Sequence, residues 1–156
     1  MAVMHIQRFR HVAIVAHDLS KLIDFYTQTL GFEVKRRYEA RNANFQNGIG
    51  VPGAEAMVVH LTIPNSTVEL EMFQFAAPVM DASTLLLPAN QPGYRHMALI
   101  VDDLQAAYLE LKAKGITFLS EPITHKEPKE VAGFQFVYFR DPEGNIVELN
   151  QLPDWA

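Results

Sequence analysis

The chain contains no cysteine. That removes disulfides, thiolate metal sites and cysteine nucleophiles together. It has one tryptophan, and 13 Lys and Arg stand against 18 Asp and Glu, a formal net charge of −5. A shortage of positive charge argues against a protein that grips a phosphate backbone. No apolar run reaches the ~18–20 residues of a membrane span. The opening MAVMHIQRFRH lacks the apolar core of a secretory signal. No segment is low in complexity. Neither nucleic acid nor membrane is expected as a partner, and the expected compartment is the cytoplasm. What is present is an ordinary globular composition, 49% hydrophobic and 20% charged over 156 residues. That suits one compact domain, or two small modules sharing a core.

Within this composition one pattern occurs twice. His11 opens HVAIVAHDL and His96 opens HMALIVDDL, an offset of 96 − 11 = 85 residues. His, Ala, Asp and Leu recur in step as His11/His96, Ala13/Ala98, Asp18/Asp103 and Leu19/Leu104. Internal repetition is the first thing to read, because it fixes the unit of the fold. In the first unit, Phe9 to Val15 reads as a strand, and Asp18 or Ser20 can cap a following helix. That helix carries Leu19, Leu22, Ile23, Tyr26 and Leu30 at helical spacing and stops at Gly31. Phe32 to Tyr38 reads as a strand. Residues 40–54 read as a polar loop with turn signals at Asn47-Gly48 and Pro52-Gly53. Met57 to Ile63 and Thr67 to Phe75 read as a hairpin around Pro64-Asn65-Ser66.

The second unit repeats the plan. His96 to Val101 is a strand. A helix capped by Asp102 or Asp103 has Leu104, Ala107, Tyr108 and Leu111 as its apolar stripe and ends at Gly115. Ile116 to Leu119 is a strand, 120–134 a loop, and Gln135 to Arg140 pairs with Asn145 to Leu149 around Asp141-Pro142-Glu143-Gly144. The order βαβββ, twice, predicts an α+β fold: paired βαβββ modules forming a curved, barrel-like mixed sheet around a site. One domain over 1–156 is expected, made of modules 7–75 and 94–151 joined by a proline-marked connector, 76–93.

Each module begins with a strand histidine and ends with a strand glutamate. In the second module the glutamate is Glu148. In the first it is Glu71 or Glu69, which share a strand face and are not separated by alternation alone. Carboxylates are costly inside a fold unless paired or bound to a metal. Two imidazoles and two carboxylates, with no sulfur, suit Zn, Ni, Co, Mn or Fe.

Taken together, HVAIVAHDLSKLIDFYTQTLGFEV, YRHMALIVDDLQAA and FRDPEGNIVEL resemble the vicinal oxygen chelate superfamily. That group includes glyoxalase I, methylmalonyl-CoA epimerase, extradiol dioxygenases and the fosfomycin and bleomycin resistance proteins. The resemblance runs from about His11 to Glu148. It implies a divalent metal held by His11, Glu71, His96 and Glu148. Glu71 is preferred because Glu71-Met72-Phe73-Gln74-Phe75 fits the family pattern better than the run from Glu69, which is the alternative ligand. It further implies a lyase, isomerase or epimerase that stabilises an enediolate-type intermediate of a small oxygenated substrate. Glu148 would be the base and Glu71 its partner. The alternatives it carries are an extradiol-type dioxygenase using Fe(II) and a drug-sequestering resistance protein. A homodimer is expected on the same ground.

Other residues have weaker readings. His60 falls across from Glu71 if Asn65-Ser66 is a two-residue turn, as a support for that glutamate, a substrate contact or a packing residue. Arg36, Arg37, Arg41, Lys126 and Lys129 could clamp an acidic group on a substrate. Phe45, Phe73, Phe75, Phe134 and Phe136 could line an apolar pocket. His5, His17 and His125 are expected at the surface. Gly48-Ile49-Gly50 is not a nucleotide fingerprint, for want of a strand-to-helix setting.

Overall fold

A computed structural model describes residues 6–78 and 87–154. The chain divides into two units, Met1–Ala82 and Ser83–Ala156. Each holds one open four-stranded mixed sheet, and the architecture is α+β, as expected from the repeat. Residues 79–86 of the expected connector and His5 lie outside the described residues.

In the first unit the order is β1 (His11–Val15), α1 (Leu19–Asp24), β2 (Glu33–Ala40), α2 (Ala43–Ile49), β3 (Glu55–Thr62) and β4 (Glu69–Ala77). The sheet order is β1-β4-β3-β2. β1 lies parallel to β4, and β4, β3 and β2 run antiparallel to one another. Residues in register share a face. One face therefore carries His11, Glu69, Glu71, Phe73 and His60, and the other carries Leu70, Met72, Val59 and Leu61. Those last four are fully buried, together with Leu22 and Tyr26 from the helical stretch above. The apolar stripe of α1 thus faces one side of the sheet and leaves the other to polar side chains.

α1 begins where two side chains meet its orphan amides. Asp18 accepts from Lys21 N (3.0 Å), and Gln74, on β4, accepts from Leu19 N (3.2 Å). The helix continues into one π-helical stretch, Phe25–Thr29, and ends before Gly31, whose φ of 74° suits glycine. The 40–54 segment is not simply a loop: Asn42 caps α2 by accepting from Phe45 N (2.9 Å), and Gly50, left-handed at φ 71°, closes it. Its Asn and Gly content reads as turn chemistry, and the cap at one end and left-handed glycine at the other convert it into a short helix.

The second unit runs β5 (His96–Ile100), α3 (Leu104–Ala113), β6 (Ile123–Thr124), β7 (Gln135–Arg140) and β8 (Ile146–Gln151), in sheet order β5-β8-β7-β6. β5 is parallel to β8 and β7 antiparallel to it. The helix start is built as in the first unit: Asp103 accepts from Ala106 N (2.9 Å), and Gln151, on β8, accepts from Leu104 N (2.8 Å). Leu104, Tyr108 and Leu111 are buried, as are Val137, Phe139, Val147 and Leu149 across from them. The expected strand at Ile116–Leu119 reduces to a bridge between Phe118 and Phe139, while a two-residue strand and a 3-10 turn, Lys129–Val131, break up the 120–134 loop. Among the described residues no helix is long and apolar enough to cross a membrane.

Leu70 lies on the helix-facing side of its sheet, between Val12 and Leu61, and is fully buried. Leu70→Ala is expected to lower unfolding free energy by about 2–5 kcal/mol, read by urea denaturation. A loss below about 1 kcal/mol would show that this face is not a tightly packed core.

Candidate functional site

The parallel pairing of first and last strand positions the histidine of each unit. In the first unit Ala13 lies in register with Glu71, and in the second Ala98 lies in register with Glu148. The histidine two residues earlier then reaches diagonally to the glutamate. His11 Nε2 lies 3.2 Å from Glu71 Oε2, and His96 Nε2 lies 3.2 Å from Glu148 Oε2. The glutamate side chains are nearly buried (12% and 10% exposed) while the imidazoles are accessible (36% and 42%). Two donors each about 2.0–2.2 Å from one ion, at angles of about 90–110°, stand about 3.0–3.4 Å apart. The spacing and the N/O chemistry of both pairs therefore fit neighbouring ligands of a divalent ion. His11 Nδ1 is buried with no hydrogen-bond partner among the described residues. Among the described residues no group of three or more His, Asp or Glu is arranged to hold an ion. Each unit presents a two-donor pair.

Register also separates the two candidate glutamates of the first unit. Glu71 occupies the position that Glu148 holds in the second unit, whereas Glu69 corresponds to the buried Ile146, which lies in register with His96 as Glu69 does with His11. Glu69 is engaged elsewhere: Lys35 Nζ reaches its Oε1 at 2.5 Å, and Arg36 Nη2 and His60 Nδ1 reach its Oε2 at 2.7 and 2.9 Å. These donors, Lys35 foremost, outweigh burial and hold the Glu69 carboxyl down at about 2. Lys35 and Arg36 are consecutive, and a regular strand would send them to opposite faces. β2 is bulged between Val34 and Arg36, with no partner opposite Lys35, and a bulge re-aims such a residue. Sequence reasoning missed this arrangement because a bulge leaves no mark in the hydrophobic pattern.

His60 pairs across from Glu71, the expected register, although the two-residue turn at Asn65-Ser66 does not form: the strands end at Thr62 and resume at Glu69, and Ser66 N donates to the Ile63 carbonyl around Pro64-Asn65. Its side chain is 3% exposed, and Nε2 lies 2.9 Å from Glu71 Oε1. In the second unit Tyr138 takes the equivalent place opposite Glu148. Its hydroxyl donates to Glu148, and burial first, then that carboxylate, push the phenol up. Of the basic residues expected to clamp substrate, Arg36 is committed to Glu69 and His60, and Arg41 is paired with Glu39; Arg37, Lys126 and Lys129 are exposed. His125 is half-buried rather than superficial, stacked on Phe136 at 5.0 Å between ring centroids. His17 is half-buried as well.

The phenylalanines gather as expected in part. Phe45, Phe73 and Phe75 form one near-parallel group, and Phe134 and Phe136 another. Phe73 continues from Glu71 on the same face of β4 and is half-buried. A cavity of about 260 Å³ lies toward the far end of this sheet, lined by Glu39, Arg41, Glu55 and Phe75 among others. None of the expected metal ligands lines it.

These two matched pairs sit in a chain whose residues 8–149 match the family model described as the Glyoxalase/Bleomycin resistance protein/Dioxygenase superfamily, and the chain belongs to that superfamily. It is 30% identical over 150 residues to a 2-epi-5-epi-valiolone epimerase from Actinomyces sp, covering 94% of this chain and 80% of that one. It is 29% identical over 153 residues to the mitochondrial methylmalonyl-CoA epimerase of Homo sapiens, covering 96% and 77%. A glyoxalase family protein from Bacillus cereus shares the fold at a TM-score of 0.83 and 21% identity, covering 98% of this chain and 99% of that one.

The depressed Glu69 carboxyl carries a stability consequence. Its folded value, about 2, lies below the ordinary 4.5. Its contribution is therefore complete above about 4.5 and lost as pH falls toward about 2. Glu69→Gln is expected to melt at lower temperature than the parent at pH 7, with the gap narrowing through that acid window. Parallel melting curves of parent and variant from pH 7 to pH 2 would contradict the ion cluster.

Proposed function

We propose that this chain is a metal-dependent epimerase or lyase that moves a proton on a carbon next to a carbonyl of a small oxygenated substrate. The observation that carries this reading is the repeated pair: one imidazole and one carboxylate, 3.2 Å apart at the same register, in each unit. His11 and Glu71 would supply one half of the ligand set and His96 and Glu148 the other. When bound, a divalent ion polarises a substrate carbonyl and acidifies the neighbouring C–H. Glu148 would take the proton, and Glu71 would return one in an epimerisation. Tyr138, donating to Glu148, holds that carboxylate in a fixed orientation. Phe73, beside Glu71 on the same face, offers an apolar wall for the substrate carbon frame. The two epimerases among the relatives support proton transfer over the dioxygenase chemistry and the drug sequestration that the superfamily also contains. A homodimer in the cytoplasm is part of the same proposal.

Protein purified without chelator is expected to carry divalent metal at one equivalent per chain, and His11→Ala and His96→Ala are each expected to abolish that binding. Restored with Co, Ni, Mn or Zn, the parent should catalyse exchange of a substrate α-proton with deuterated water, read by NMR against a panel of 2-methyl-acyl thioesters and cyclic hydroxyketones. Turnover only with Fe(II) and O₂ would replace this reading with the dioxygenase one. Ligand binding without metal, unchanged in His96→Ala, would replace it with sequestration.

A further inference from the structure

We propose that His60 is a positioning residue: it anchors one oxygen of Glu71 so that the other is presented beside His11. The inference rests on the metal-site reading above. Its geometry is independent of that reading. Glu71 is held by two different atoms, Oε1 by His60 Nε2 at 2.9 Å and Oε2 facing His11 Nε2 at 3.2 Å. A carboxylate fixed at one oxygen has lost most of its freedom to rotate, so the second oxygen has a defined direction.

The proton on His60 is assigned from its neighbours. Nδ1 lies 2.7 Å from Arg36 Nη2, a donor, and 2.9 Å from Glu69 Oε2, an acceptor. If Nδ1 accepts from Arg36, the neutral ring carries its proton on Nε2. If Nδ1 donates to Glu69 and the ring is charged, Nε2 carries a proton too. The remaining form, neutral with its proton on Nδ1, would set the Nε2 lone pair against a carboxylate at 2.9 Å. In each of the first two forms Nε2 donates to Glu71. Glu69 with Lys35 and Arg36 fixes the far side of the ring, Tyr38 Oη lies 3.4 Å from Nε2, and the Tyr38 ring stacks on the imidazole at 6.0 Å. His60 is therefore held from behind and faces Glu71 in front.

The second unit contains the same device with a different side chain. Tyr138 is opposite Glu148, donates to it, and lies edge-on to His96 at 5.4 Å, as His60 lies edge-on to His11 at 6.2 Å. A ring donor from the neighbouring antiparallel strand thus braces the glutamate in both units.

The test is Co²⁺ binding to the full chain after chelator stripping, by calorimetry and by the visible absorption of the bound ion. His60→Ala is expected to bind Co²⁺ about 10–100-fold more weakly, with a changed absorption band. His60→Gln, which restores a donor, is expected to recover most of the affinity and the parent band. Tyr138→Phe, which removes one hydroxyl, is expected to weaken binding on the Glu148 side about 10-fold while melting close to the parent. Co²⁺ affinity in a folded His60→Ala within about twofold of the parent would overturn the proposal, as would a Gln variant that folds and binds no better than the Ala one. If neither His60 variant folds, Tyr138→Phe decides: an unchanged Co²⁺ affinity and band overturn the bracing role. A parent that binds no Co²⁺ at all sinks the metal reading itself, an outcome distinct from all of these.

Discussion

Parallel pairing of a unit's first strand with its last is the constraint on which the rest of each unit depends. It puts Ala13 beside Glu71 and Ala98 beside Glu148, and from that alignment the histidine two residues earlier falls diagonally onto the glutamate. Strand side chains alternate with a period of two, so a slip of one residue would send Glu71 and Phe73 among the helix side chains and bring Leu70 and Met72 out in their place. Parallel strands require a crossover between them. Here the intervening helix and hairpin form that crossover, and Gln74 and Gln151 tie its helix back to the last strand at Leu19 and Leu104. The same strand therefore presents its glutamate on one face and caps the helix from the other.

The two units share this frame but support their glutamates in different electrostatic settings. In the first, Glu71 belongs to a network with His60, Glu69, Lys35 and Arg36. In the second, a phenol stands where the imidazole does and Ile146 where Glu69 does. The duplicated geometry is thus built on unequal surroundings: a charged network behind one glutamate and a phenol beside the other.

Much of this was legible in the residues, for physical reasons. The doubled His…Asp-Leu run marks strand, cap and helix start together, and both aspartates cap as expected. His60 opposite Glu71 follows from hairpin register. The choice between Glu69 and Glu71 was not available from alternation, since both lie on one face. The pairing of β1 with β4, set beside that of β5 with β8, shows that Glu71 holds the place of Glu148 and Glu69 that of Ile146. The helix at Ala43–Ile49 was hidden because Asn and Gly are turn formers until a cap and a left-handed glycine enclose them. Ile116–Leu119 has the apolar content of a strand but finds only Phe139 as a bridge partner. The Gln74 and Gln151 caps had a signal, a glutamine three residues after each glutamate, whose meaning appears only once the strand lies under the helix.

The bulge in β2 has a consequence in terms of insertion and deletion. Register resumes after Lys35 with every later side chain on its proper face, from Arg36 opposite His60 to Ala40 opposite Ala56. A strand one residue shorter would make the same ladder without interruption. The hydrogen-bond pattern therefore permits either length, and what the longer strand adds is one ammonium group within reach of Glu69. A single-residue deletion there would keep the pairing partners, relax the local bend and twist that a bulge imposes, and take one cation from the charge cluster beneath the histidine.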